Sequence, residues 1–203
     1  KKHVQCVMVT TGSFQDFIVK IAMVFVVDVK EYLPFKSLEN IISNYYFSND
    51  KTRFLLLPMS VFMTEGKVCV ELGTCTGFST EAILVAVKEL GGSLYTIDND
   101  PFVVGPGPEP KNGWPIKRLV NEDSLHRIIG DSVEIGKSWD KKIDWLYIDT
   151  SHEFGHTLKE LETWYPHIRP GGLIVLHDTN ILGVKNAIID FLKNQPNTFF
   201  YNM

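Results

Sequence analysis

The run Val68-Cys69-Val70-Glu71-Leu72-Gly73-Thr74-Cys75-Thr76-Gly77-Phe78-Ser79 reads as a strand, a glycine turn and the start of a helix. Residues 68–72 are a short apolar run broken by one acid, as expected of a strand buried in a parallel sheet. Gly73 and Gly77 lack a Cβ, so the backbone there can turn tightly and come close to a ligand. Residues 79–90 then carry Ala82, Ile83, Ala86, Val87 and Leu90 on one helical face. Gly91-Gly92 stops that helix, and 93–97 is the next strand.

Downstream the alternation continues. Strands are expected at 126–129, 143–148 and 173–176, with a helix carrying Leu158, Leu161, Tyr165 and Ile168 between the last two. A helix over 180–193 and a short strand over 198–201 close the chain. Strand and helix in repeated alternation imply an α/β fold, a doubly wound and mainly parallel Rossmann-like sheet. Residues 67–203 form that domain, and 1–66 an N-terminal extension serving as a cap or an oligomer contact. Within the extension, 3–10 and 17–29 favour strands, with a buried helix as the alternative. Helices fit 37–46 and 51–63, although the pattern weakens at Pro58. Residues 101–115 hold Pro101, Pro106, Pro108, Pro110 and Pro115, so no regular helix fits there. They form either a lid over a ligand or a plain surface loop.

Bulk properties narrow the function. A chain of 203 residues suits one domain with a proper core. Its net charge of -4 speaks against a grip on nucleic acid, which needs a basic face, and favours a small-molecule partner. Three cysteines, Cys6, Cys69 and Cys75, make neither a disulfide framework nor a zinc-type pair, so a reducing cytoplasm is expected. The most apolar run, 21–27, is too short to span a bilayer and too deep for a signal peptide, so no membrane role is expected.

The chemistry-bearing residues cluster at strand ends, where doubly wound sheets bind ligands. Dinucleotide binding wants G-x-G-x-x-G, whereas the turn here is G-x-x-x-G with Glu71 two positions ahead. That spacing suits a ligand without a phosphate; the plainer alternative is a turn that only packs helix on strand. The second strand ends in Asp98, placed to accept hydrogen bonds from ribose hydroxyls, unless it is merely a solvated loop acid. Asp149 and Asp178 end neighbouring strands, so their carboxylates should converge, either on a metal or as turn caps.

These motifs in this order resemble class I S-adenosylmethionine-dependent methyltransferases over residues 67–180. The likeness is strongest to the metal-dependent small-molecule O-methyltransferases. These comprise the catechol O-methyltransferase-like enzymes and the group of macrolide sugar O-methyltransferases and cephalosporin-hydroxylase-like proteins. Glu71-x-Gly73 with Gly77-Phe78-Ser79, Gly130-Asp131-Ser132, Ile148-Asp149-Thr150-Ser151-His152, Arg169-Pro170-Gly171-Gly172 and Leu176-His177-Asp178-Thr179 carry it. The resemblance implies that S-adenosylmethionine contacts Glu71, Gly73, Thr74, Cys75, Thr76, Gly77, Ser79, Asp98, Asp131, Ser132 and Asp149. It also implies magnesium on Asp149 and Asp178, with Thr179 or Asn180 completing the set, and a small hydroxylated acceptor. An amide or acid usually follows the second aspartate, and Thr179 departs from that. His152 stands where relatives carry a catalytic lysine, so His152 with Asp149 is the expected catalytic pair; a metal ligand or a structural histidine is the alternative. His156 and His177 look less well placed. The family usually ends in two strands and this chain shows one. The sheet edge then needs covering by the N-terminal strands or by a second subunit in a homodimer. The rival from another class is a binding or scaffolding protein that keeps the fold and the cofactor without turnover.

Overall fold

Each central strand alternates large apolar side chains to both sides, so the sheet carries a core on each face. The computed structural model describes residues 5–9, 51–100, 116, 119, 121–195 and 198–202, with backbone alone for 5–9, 51–55 and 198–202. The strands are β1 (Gln5–Val9), β2 (Val68–Leu72), β3 (Ser93–Asp98), β4 (Leu125–Ile129), β5 (Ile143–Ile148), β6 (Ile168–Leu176) and β7 (Thr198–Asn202). The helices are α1 (Lys51–Met63), α2 (Phe78–Glu89), α3 (Ser132–Lys137), α4 (Phe154–Trp164) and α5 (Leu182–Lys193). Val70, Leu72, Leu146, Ile148, Ile174 and Leu176 pack with Leu161 and Trp164 of α4 and Ile188 of α5. Their sequence neighbours Cys69, Trp145, Tyr147, Leu173 and Val175 pack on the other face with Leu57 and Val61 of α1 and Ile83 and Val87 of α2.

The strands lie in the order β4-β3-β2-β5-β6-β1-β7, and every pair is parallel. The chain winds outward from β2 to β4, then crosses back to β5, so the direction of winding reverses between β2 and β5. A crevice opens at such a reversal, on the carboxyl side of the strands. The edge expected to need cover is covered from within: β1 pairs with β6 from Cys6↔Leu173 to Val9↔Leu176, and with β7 from Gln5↔Thr198 onward.

Several boundaries differ from the sequence expectation. The helix predicted through Ile168 ends at Trp164; Pro166 follows in a 3-10 turn (Tyr165–His167), and Ile168 already belongs to β6. Residues 169–172, expected as a turn, are a bulge inside β6, since Ile143 pairs with Ile168 but Trp145 with Leu173. Pro170 and Gly171 (φ +80°) suit such an interruption. Arg169 anchors the bulge by donating Nε to Asp144 and Nη2 to the Thr64 carbonyl at 2.7 Å. Helix α1 runs through Pro58, because Leu57 and Val61 on either side are fully buried and hold it down. The last helix begins at Leu182, two residues later than expected, and α3 has too few residues to show periodicity. The expectations for 17–29, 37–46 and 101–115 fall outside the described residues.

Candidate active site

The glycine loop is built around Asp98. Its Oδ2 accepts the backbone N–H of Thr74 (3.0 Å) and of Cys75 (2.9 Å), and its Oδ1 accepts that of Asp100 (2.9 Å). A carboxylate offers about four lone-pair sites. Asp98 therefore fixes the loop and still has capacity to accept from a ligand. Cys75 sits at φ +46°, a left-handed position unusual for a residue with a side chain.

Gly73 lines the cavity, and both glycines also meet a packing demand. A Cβ on Gly73 (φ +95°) would lie 2.0 Å from the Asp149 carbonyl oxygen, and one on Gly77 (φ +84°) 2.8 Å from the Ile116 nitrogen. What they make room for is the protein's own backbone. Gly73 N–H donates to the Ile97 carbonyl (2.8 Å), and Asp149 N–H to that of Leu72 (2.9 Å). The ends of three strands are thereby locked together.

Glu71 is fully buried on the α2 face of β2. Its Oε2 accepts the hydroxyls of Thr80 and Thr96, each at 2.7 Å, while Oε1 is buried without a partner. Since Thr96 donates to Glu71, the 2.6 Å contact between Thr74 and Thr96 must use the Thr74 proton. Burial holds the Glu71 carboxyl up to about 7; the Ser79, Thr80 and Thr96 hydroxyls pull it down and the charge of Asp149 adds to the rise.

A cavity of about 530 Å³ opens over the ends of β2 to β5, within the range of small-molecule sites. Gly73 and Cys75 line it beside Asp98, Asp131 and Ser132 face them, and Asp149 and His156 close the side. Thr76 is half-buried off this wall, while Thr74, Gly77 and Ser79 are buried, as is Glu71. Among the sequence candidates, these five form the frame under the loop rather than the cavity wall. Asp131 caps α3, its Oδ1 accepting the N–H groups of Val133 and Glu134 at 3.0 Å each.

Asp149 also belongs to a second group. Its Oδ1 lies 3.3 Å from His152 Nε2 and 3.2 Å from His177 Nδ1. Asp178 Oδ2 lies 3.1 Å from each of the same two nitrogens. The four side chains thus place one donor atom each within 4.8 Å of the others. The Tyr147 hydroxyl donates to the remaining Asp149 oxygen at 3.0 Å and fixes the carboxylate's orientation. Two of these four residues, His152 (φ +60°) and Asp178 (φ +52°), hold left-handed backbone. Such strain persists where surrounding contacts impose it, and it gathers at functional sites.

The methyltransferase-domain family matches residues 70–179, the span that supplies every wall and cluster residue above. The chain belongs to that family. Solved structures share the architecture of this methyltransferase at low identity. CalS11, a TDP-rhamnose 3'-O-methyltransferase of calicheamicin biosynthesis, has a TM-score of 0.58 at 14% identity, over 90% of this chain and 88% of its own. TomG, an O-methyltransferase from Streptomyces achromogenes solved with S-adenosylmethionine, scores 0.55 at 14% identity, over 88% and 82%. An O-methyltransferase from Bacillus cereus, solved with S-adenosylhomocysteine, scores 0.54 at 16% identity, over 88% and 84%.

Three residues beside the cavity or in the histidine–aspartate group were given less weight by the sequence or not singled out at all. His177 was set aside as less well placed, yet it stands with Asp149, His152 and Asp178. Thr179, expected beside the metal, is buried with Oγ1 unpartnered, and Asn180 is exposed. The other two are His156 and Glu160. Glu160 is fully buried and gathers Ser132 Oγ (2.5 Å), Thr150 Oγ1 (2.8 Å) and His156 Nε2 (3.2 Å) at the far end of the cavity. The hydrogen bond to Glu160 holds the His156 imidazole above its usual value, against the effect of burial. The available signal was their spacing, since i and i+4 meet on one helix face. Gly183 was also missed: a Cβ there would lie 2.4 Å from the His152 carbonyl, so a glycine lets α5 carry the His152 loop.

Glu160→Ala removes the partner of the half-buried Thr150 hydroxyl and leaves the buried Ser132 hydroxyl only its 3.3 Å contact with His156, so unfolding free energy should fall by roughly 2 kcal/mol. In NMR titration His156 should become less basic. The raised His156 value stabilises the fold at acid pH, and that share is lost as pH rises through the folded value; the variant should lack it. An unchanged melt and titration would remove the network.

Among the described residues, no helix is long and apolar enough to cross a membrane.

Proposed function

We propose that the chain is an S-adenosylmethionine-dependent methyltransferase acting on an oxygen of a small hydroxylated molecule. One observation carries this: Asp149 lines the cavity and at the same time belongs to the His152–His177–Asp178 group. A cofactor in the cavity therefore ends beside residues able to handle a proton.

The residues fit a nucleoside. Asp98 is the acid beside the glycine loop that can accept ribose hydroxyls, and Gly130-Asp131-Ser132 with His156 form the opposite end. S-adenosylmethionine supplies an electrophilic methyl group on a sulfonium. The chain's task is to align an acceptor hydroxyl with that methyl and to remove its proton. An imidazole can serve as a general base, and His152 Nε2 faces two carboxylates at 3.3 and 3.1 Å. Magnesium fits poorly here. It takes oxygen ligands, and two imidazole nitrogens share the space between the two aspartates. The proposed proton transfer therefore rests on the chain's own groups.

Calorimetric titration with S-adenosylmethionine and S-adenosylhomocysteine tests the reading, followed by mass spectrometry of methyl transfer to catechols, phenols and sugars. Binding with transfer to a hydroxyl is expected. Absence of binding to either nucleoside would end the reading; binding without transfer to any acceptor favours the scaffolding alternative. Asp98→Ala should weaken cofactor binding about 100-fold, given roughly 1.5–3 kcal/mol for each hydrogen bond to a charged group. An affinity within threefold of the parent would take Asp98 out of the cofactor site.

A further inference from the structure

We propose that Asp149, His177 and Asp178 bind a divalent transition ion of the zinc and cobalt class in preference to magnesium. The inference rests on the functional reading for the purpose of the site. For the identity of the ion it needs only the donor set.

The donors come from the ends of two neighbouring strands. Asp149 follows β5, and His177-Asp178 follow β6. The strands fix them: Asp149 N–H donates to the Leu72 carbonyl (2.9 Å) and His177 N–H to the Ile148 carbonyl (3.0 Å). His177 Nδ1 lies 3.2 Å from Asp149 Oδ1 and 3.1 Å from Asp178 Oδ2. Ligand atoms about 2.0 Å from a tetrahedral ion stand about 3.3 Å apart, close to these separations. The Tyr147 hydroxyl, 3.0 Å from the other Asp149 oxygen, orients that carboxylate as outer partners of metal ligands do.

The nitrogen decides the ion. Magnesium demands six oxygens in a near-octahedral shell and keeps several waters. Imidazole suits zinc, iron, copper and nickel, and a mixed nitrogen and carboxylate set binds later divalent ions more tightly. Three protein ligands also leave a position open to an acceptor oxygen, the arrangement of catalytic zinc sites. His177 is the nitrogen ligand because it ends a core strand with its side chain 19% exposed. His152 stands on a left-handed loop at 31%, on the same stretch as the cavity residues Asp149, Thr150 and Ser151. The buried Thr179 Oγ1, next in sequence to Asp178 and without a partner, is a further oxygen within the same turn.

The chain, stripped with chelator, is titrated with cobalt(II) while its visible absorption is recorded, with neither cofactor nor acceptor present. One equivalent of cobalt should give a ligand-field spectrum that zinc abolishes and a large excess of magnesium leaves intact. His177→Gln should weaken cobalt binding at least about 100-fold, while His152→Gln stays within fivefold. If His177→Gln does not fold by circular dichroism, His177→Asp serves instead. It offers oxygen only and should lose the spectrum while gaining a thermal shift with magnesium. Displacement of cobalt by equimolar magnesium, no spectrum at all, or loss of binding in His152→Gln but not His177→Gln would each overturn the proposal. Cobalt binding in a chain indifferent to S-adenosylmethionine would retain the ion and defeat the functional reading. The opposite pair of results would do the reverse.

Discussion

His152→Gln should lower the rate of methyl transfer by a factor of about 10² to 10⁴ while leaving affinity for S-adenosylmethionine within threefold. The size is that of losing a positioned general base. The separation of effects follows from geometry. His152 touches Asp149 Oδ1 and Asp178 Oδ2, whereas the cavity wall is made by Asp98, Asp131, Ser132 and Asp149. Glutamine keeps a polar group of similar reach but takes no proton near neutral pH. His152 sits at φ +60°, a left-handed position that histidine tolerates better than glutamine, so folding of the variant is checked by circular dichroism. His152→Asn is the control, since asparagine tolerates left-handed backbone better. Single-turnover rates with saturating cofactor separate chemistry from binding. If both variants turn over within threefold of the parent, the proton leaves by another route.

Glu71 gives the second large effect, on stability. The unfolded chain releases this proton near its ordinary 4.5, and the folded chain holds it to about 7 because the carboxyl is buried. Between those values the folded state binds more protons, so stability falls as pH rises through the window. At 1.36 kcal/mol for each pH unit, the gap is about 3 kcal/mol. Full burial leaves no solvent screening to discount. Glu71→Gln keeps an oxygen for the hydroxyls of Thr80 and Thr96 and cannot ionise. Its urea denaturation should therefore lack this component. The glutamine protein should equal the parent near pH 5 and exceed it at pH 8, by up to that amount. Parallel stability profiles across pH 5 to 8 would show that Glu71 titrates normally.

Much of the fold is readable along the chain. The strand runs 68–72 and 143–148 lie where the pattern puts them, because a parallel strand must be apolar on both faces and few other patterns do that in five or six residues. The terminal bounds and the bulge at 169–172 are less legible. Arg169-Pro170-Gly171-Gly172 reads as a turn locally, and only the pairing of Ile168 with Ile143 makes it part of a strand. Helix α4 ends early because Pro166 prevents the apolar spacing from continuing as helix.

Around the cavity, the aspartates that follow strands stood out in the sequence, whereas His177, which also follows a strand, and the buried Glu160 did not. Asp98, Asp149 and Asp178 announce themselves by following apolar runs, since the end of a buried strand is where a polar side chain can reach the crevice. Glu71 follows the same rule of position yet points beneath the loop to Thr80 and Thr96, a matter of which face of β2 it occupies. Glu160 looks like an ordinary helix-surface acid until Ser132 and Thr150 are brought against it.

The sequence alone determined a mainly parallel α/β sheet with Asp98, Asp149 and Asp178 at the carboxyl ends of its strands, because hydrophobic period and glycine placement are local properties of the chain. Only the tertiary structure decided that β1 fills the sheet beside β6, that Gly73 makes room for Asp149, and that His177 joins the two aspartates. Those facts depend on which strands become neighbours, and strand adjacency joins residues dozens of positions apart that no local pattern connects.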